Sequence, residues 1–181
     1  RRHTRYIGDW SSDVCSSDLV SVFALCDGKK YILLPTAQDH KRLNENDKGP
    51  NTGGMGAYSP APLLTEDHLK RIIKEIIEPT IVELNRKNID YKGVIYFGLM
   101  ITKSGPKVIE YNCRFGDPEC QTIMPLMDQN FVFLLEKCSM GKLTGDEKIN
   151  TLDKVSGCVI ATSKGYPNEY KTGFPINLGK I

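Results

Sequence analysis

The chain has 181 residues, 40% of them hydrophobic and 25% charged, and a formal net charge of +2. That length buries one sizeable core, and the composition is that of a globular domain. The near-neutral charge gives no footing for nucleic acid or an anionic membrane, and no apolar run approaches the roughly 20 residues that cross a bilayer. Residues 1–19 carry basic groups but no apolar core like that of a secretion signal, so a cytoplasmic location is expected. Six cysteines (Cys15, Cys26, Cys113, Cys120, Cys138 and Cys158) are scattered without a C-x-x-C pair. Structural zinc and a disulfide framework are therefore not expected, and buried free thiols are.

In chain order, residues 1–19 stand apart. Ser11-Ser12-Asp13-Val14 is nearly repeated as Ser16-Ser17-Asp18-Leu19, with little hydrophobic periodicity, and the composition changes at Val20. The segment is read as foreign to the domain, the other reading being a disordered arm. Val20 to Cys26 and Lys30 to Pro35 read as paired strands around an Asp27-Gly28 turn. Thr36 to Pro62 reads as one long polar, glycine-rich loop, a kind that is usually functional. Thr65 caps a helix whose apolar face recurs from Leu69 to Leu84, and Pro79 is expected to kink or divide it. His68, in its first turn, reads as a surface residue.

Gly93 to Ile101 and Lys107 to Cys113 read as strands joined at Ser104-Gly105-Pro106. Glu119 to Met127 and Gln129 to Met140 read as short helices, the second ended by Gly141. Val155 to Thr162 reads as a late strand before a Gly165-Tyr166-Pro167 turn. The ending among turn residues is unlike that of a completed domain. Expected boundaries are 1–19 for the foreign segment, 20–150 for the main domain and 151–181 for the start of a small C-terminal domain.

Two constellations carry chemistry. In Val108 to Glu119, strand alternation puts Glu110 and Asn112 on one face, with Ile109 and Tyr111 on the other. A carboxylate and an amide oxygen side by side suit magnesium, which fills its remaining sites with phosphate and water. Alone, this E-x-N pair reads better as an edge strand with polar residues facing water; the Gly116-Asp117-Pro118-Glu119 turn that follows shifts the balance toward a site. If the strand continues, Arg114 shares the face and meets an anion. Asp117 and Glu119 read either as helix N-cap and first-turn acid or as holders of a substrate amine. The second constellation is Asn51-Thr52-Gly53-Gly54-Met55-Gly56. Its glycines let backbone amides approach an anion, although no Walker A lysine follows. Asp39-His40-Lys41-Arg42 adds cations that could meet a phosphate, or is a solvated charge run.

Gln38 to Arg42, Lys48 to Pro60 and Val108 to Glu119, in this order, resemble the phosphoribosylamine–glycine ligase family of ATP-grasp enzymes over about residues 20–181. The resemblance implies an α+β fold: a partial ATP-grasp catalytic lobe, an antiparallel sheet with packed helices, and the beginning of a C-terminal domain. It implies ligation of glycine to 5-phosphoribosylamine with ATP, through an acyl phosphate. Glu110 and Asn112 would hold Mg2+ or Mn2+, Arg114 would steady the transferring group, and Asp117 would anchor the glycine amine. Asp39, His40, Lys41, Arg42, Asn51, Thr52, Gly53, Gly54, Met55, Gly56 and Glu119 would line the substrate pocket. The parent is expected to be a monomer with no nucleic-acid or membrane partner. The family's nucleotide-like first domain and ATP-gripping lobe are not recognisable here. The chain thus reads as truncated at both ends and, by itself, without ligase activity. Another ATP-grasp carboxylate–amine ligase and a non-catalytic nucleotide or sugar-phosphate-binding module are the alternatives.

Overall fold

The computed structural model describes residues 18–128 and 130–179. Most of the expected foreign arm, with His3 and Cys15, and the expected start of a helix at Gln129 lie outside the described residues. Strand β1 runs Leu19–Cys26, one residue longer at its start than the strand expected over Val20 to Cys26.

The run Leu-Val-Ser-Val-Phe-Ala-Leu-Cys is apolar at all but one position because both faces of β1 are covered. It pairs antiparallel with β2 (Tyr31–Leu33) on one side and with β7 (Gly93–Thr102) on the other. Strand β8 (Gly105–Asn112) joins β7, giving the order β2-β1-β7-β8. One face packs Val20, Val22, Ile95, Phe97 and Leu99 against Ile72, Ile76, Ile77 and Ile81. Those isoleucines come from α1 (Glu66–Ile72), a π-helical turn (Ile73–Ile77) and α2 (Glu78–Arg86). Pro79 does divide the helix, and the wide turn lies directly before it, where the proline removes a backbone donor.

Thr65 caps α1 as expected, but His68 is more than a surface residue. Its ring nitrogen returns to the Thr65 amide while the Thr65 hydroxyl accepts from the His68 amide, a reciprocal capping box.

The opposite sheet face packs Phe23, Leu25, Val94 and Tyr96 against Ile123, Phe131, Leu134 and Cys138. These belong to α3 (Glu119–Ile123), continued by a 3-10 turn (Met124–Leu126), and to α4 (Asn130–Ser139). The Phe23 ring meets Tyr96 edge-on at 5.3 Å. Two covered faces make this an α+β lobe with an antiparallel sheet.

The long loop expected over residues 36–62 is instead four short strands: β3 (Gln38–Asp39), β4 (Arg42–Asn44), β5 (Lys48–Asn51) and β6 (Gly56–Ser59). β4 and β5 form a hairpin whose turn residues Asn46 and Asp47 both hold positive φ, near 55°. Asn and Asp tolerate that conformation, and this pair was the missed signal. β3 and β6 pair, and β6 also takes β9 (Ser156–Val159). A strand placed by sequence in the C-terminal region thus shares a sheet with the glycine-rich segment. The described cysteines are free, but only Cys26 and Cys138 are buried, and Cys113 is exposed. Among the described residues no helix is long and apolar enough to cross a membrane.

Candidate active site

The register of β7 and β8 sets the site. Gly98 faces Glu110 and Tyr96 faces Asn112, which confirms that the carboxylate and the amide share one sheet face. Leu99 then pairs with Val108, leaving Ile109 as the extra residue of a bulge. Ile109 therefore lines the cleft beside Glu110 rather than turning away, as simple alternation predicts. Tyr111 does turn to the helices, its hydroxyl 3.2 Å from Thr80 Oγ1. Gly98 makes room for the carboxylate, since a Cβ there would lie 2.9 Å from Glu110 Cγ.

Across the cleft lies Asp39 on β3, 6% exposed, with neither carboxylate oxygen satisfied by a hydrogen bond. Burial pushes its carboxyl up to about 7 and the nearby Glu119 carboxylate adds to this, while Lys41 and the His40 amide oppose it. Lys41 Nζ sits between two acids, 3.9 Å from Asp39 Oδ2 and 3.8 Å from Glu110 Oε1. A cleft of about 120 Å³ is bounded by Ser21, Asp39, Lys41, Tyr96, Ile109 and Glu110. A larger groove of about 790 Å³ runs between residues 29–33 and 144–149. Of its two acids, Glu147 is already committed to the Thr144 and Gly145 amides and to Lys137, and Asp146 accepts from the Thr144 hydroxyl.

Glu119 is not an exposed first-turn acid. It is 2% exposed, and its Oε1 accepts from Ser21 Oγ at 2.8 Å. The Ser21 and Tyr96 hydroxyls are 3.1 Å apart, extending the chain from β7 through β1 to α3. Sequence reasoning missed both hydroxyls. The available signal was Ser21 itself, the one polar residue in β1. Ser21→Ala leaves two buried polar groups without this partner, so a loss of about 2–3 kcal/mol in urea-unfolding free energy is expected. A loss below about 0.5 kcal/mol would show that the network re-forms without it.

The other expected site residues are dispersed. β8 ends at Asn112, so Arg114 is not on the Glu110 face; it is exposed and donates to the Phe115 carbonyl at 2.7 Å. Asp117 is exposed and accepts from Gln121 Nε2, while Pro118 holds the N-cap position of α3. Arg42 donates to the Gly49 carbonyl, inside the β4–β5 hairpin that also contains Asn51. His40 packs on the Tyr58 ring at 5.2 Å.

The amides of the glycine-rich segment are spoken for. Thr52 N donates to the Lys41 carbonyl, Gly53 N to the Tyr166 hydroxyl, Gly54 N to Thr52 Oγ1 and Met55 N to the His40 carbonyl. In this conformation the segment braces Asp39 to Lys41 rather than presenting a row of amides to an anion. Gly54 is packed against both Pro118 and Asp39, and Gly56 lies beneath Cys158 in β9. The two constellations are thereby joined.

The donor set fits a hard divalent cation: one carboxylate and one amide oxygen on a half-open face, with a lysine ammonium already drawn to that carboxylate. Among the described residues no group of three or more His, Cys, Asp or Glu could hold a metal, so any ion here would complete its shell with phosphate and water.

An antiparallel sheet with helices on both faces, presenting an acid–amide pair over a cleft, is an ATP-grasp lobe. The chain belongs to the family described as phosphoribosylglycinamide synthetase, ATP-grasp (A) domain, whose model matches residues 13–120. It is 49% identical over 156 residues to the phosphoribosylamine–glycine ligase of Caldanaerobacter subterraneus, covering 86% of this chain and 37% of the relative. The Rhizobium meliloti enzyme of the same name is 48% identical over 156 residues, with the same coverage. A crystal structure of the Thermotoga maritima phosphoribosylamine–glycine ligase superposes with a TM-score of 0.76 at 32% identity, over 84% of this chain and 38% of that one. The chain thus spans little more than a third of the length of these relatives.

Proposed function

We propose that this chain carries the metal- and substrate-facing part of a phosphoribosylamine–glycine ligase. In that reaction ATP, glycine and 5-phosphoribosylamine give glycinamide ribonucleotide, ADP and phosphate. The observation that carries the reading is the meeting of Asp39, Lys41 and Glu110 around one cleft, with the buried Glu119 close enough to act on Asp39, brought there by the segments that bear the family resemblance.

Glu110 and Asn112 would hold Mg2+ or Mn2+, which supplies positive charge against the phosphates of ATP. The chain's own residues position the reactants. The glycine carboxylate oxygen attacks the γ-phosphorus, ADP leaves, and the ribosylamine nitrogen then displaces phosphate from the acyl phosphate. Lys41, beside Glu110, meets the negative charge that gathers on the transferred group. Arg114 is free to turn toward the same group by giving up one hydrogen bond to a carbonyl. The buried Asp39, whose carboxylate oxygens have no hydrogen-bond partner, suits a substrate amine better than Asp117, which is exposed and already bonded to Gln121. Holding two reactants in line here is worth more than proton transfer by any one side chain.

The test is a chimera in which residues 20–160 replace the matching segment of the Caldanaerobacter relative. ADP formation is expected to require both glycine and 5-phosphoribosylamine, and Glu110→Gln in the chimera is expected to lower it by about 100-fold or more. ADP formation with other amino acids but not glycine would favour a different carboxylate–amine ligase. Nucleotide binding without turnover would favour a binding module.

A further inference from the structure

We propose that Lys41 is a resident counter-ion of the metal face: its ammonium competes with a divalent cation for Glu110 and yields that carboxylate when an incoming anion takes over its charge. The inference rests on the assignment of Glu110 as a metal ligand and says what guards that ligand beforehand.

Three observations carry it. Lys41 Nζ lies 3.8 Å from Glu110 and 3.9 Å from Asp39, both beyond hydrogen-bond length, so the ammonium is held between the acids by charge alone and is easily drawn away. Its backbone is fixed, because the Lys41 carbonyl accepts from both the amide and the hydroxyl of Thr52. The side chain therefore pivots from a set point over the cleft, and at 34% exposure it has solvent to swing into. Finally, the cleft of about 120 Å³ that Lys41 helps to line has room for about four waters beside the ammonium, less than a fully hydrated divalent cation needs, so an entering cation is pressed against the ammonium. Like charges so close also repel strongly in a partly buried site. Bare metal should thus bind weakly, and metal should enter with a polyphosphate whose oxygens occupy Lys41.

The experiment titrates the full 181-residue chain with Mn2+ alone, reading free Mn2+ by electron paramagnetic resonance. Lys41→Met is expected to bind Mn2+ about tenfold more tightly than the unsubstituted chain. Lys41→Arg, which keeps the charge, is expected to stay within about twofold of it. Adding Glu110→Gln to Lys41→Met should abolish the gain. A gain of affinity is not what structural damage produces, and the Thr52 bonds use only the Lys41 backbone. If Lys41→Met binds no more tightly, or Lys41→Arg gains as much, the inference is overturned. If Glu110→Gln alone still weakens Mn2+ binding in that case, the metal assignment stands and only the role of Lys41 is lost. If Glu110→Gln leaves the Lys41→Met gain intact, the ion is not at Glu110, and the metal assignment falls together with the inference.

Discussion

At pH 8, Asp39→Asn is expected to stabilise the folded chain by about 2–4 kcal/mol. Burial and then the Glu119 charge raise the Asp39 carboxyl from 3.8 to about 7 in the folded state. Between those two values the folded chain holds a proton that the unfolded chain has released. Stability therefore falls as pH rises from about 4 to about 7 and is flat above. About three pKa units correspond to on the order of 4 kcal/mol, and part of the gain is lost because a buried asparagine amide is also left unsatisfied. Near pH 4 the aspartate is already protonated when folded, so the substitution should gain almost nothing there. Urea unfolding at pH 4.5 and pH 8 checks this; equal effects at the two values would show that Asp39 does not carry the burden. A charge kept at such a cost, facing a cleft, is what a binding site for a cationic substrate requires, so the stabilised variant should bind substrate amine less well.

Gly54→Ala is expected to act in the opposite direction, destabilising by on the order of 3 kcal/mol or more. Gly54 holds φ at +133°, a region side chains avoid, and a Cβ would lie 2.3 Å from Pro118 Cδ and 2.9 Å from Asp39 Oδ1. Neither neighbour can retreat, because Pro118 is fully buried and Asp39 is paired in β3. Gly53→Ala is the internal control: its Cβ would meet only the Tyr166 hydroxyl, at 3.4 Å, and a change within about 1 kcal/mol is expected. Denaturant midpoints of the two variants separate the cases. Equal midpoints would mean that the glycine-rich segment can lift off Pro118, and that it does not fix Asp39 against the α3 turn.

The local rules that sequence obeys were enough for the β1–β2 hairpin, the Thr65 cap, the division of the helix at Pro79 and the placement of Glu110 beside Asn112. Each depends on residues within a few positions of one another: a turn, a cap, a missing amide donor, an alternation of faces. The order of the D-H-K-R, T-G-G-M-G and E-x-N segments was likewise enough to indicate the family. Tertiary structure decided the rest. Ile109 enters the cleft because β7 fixes a bulge that β8 does not announce. The segment over residues 36–62 becomes strands because β6 finds β3 on one side and β9, a hundred residues later, on the other. Arg114 leaves the expected face because the strand stops at Asn112. Glu119 reads in sequence as a first-turn acid or a substrate-amine holder, and nothing local announces that it is buried against Ser21, 98 residues away. Short-range spacing fixes which way a side chain leaves its own element, but not what another element places in front of it. That choice belongs to packing, and it is what turned scattered acids and a lysine into a site.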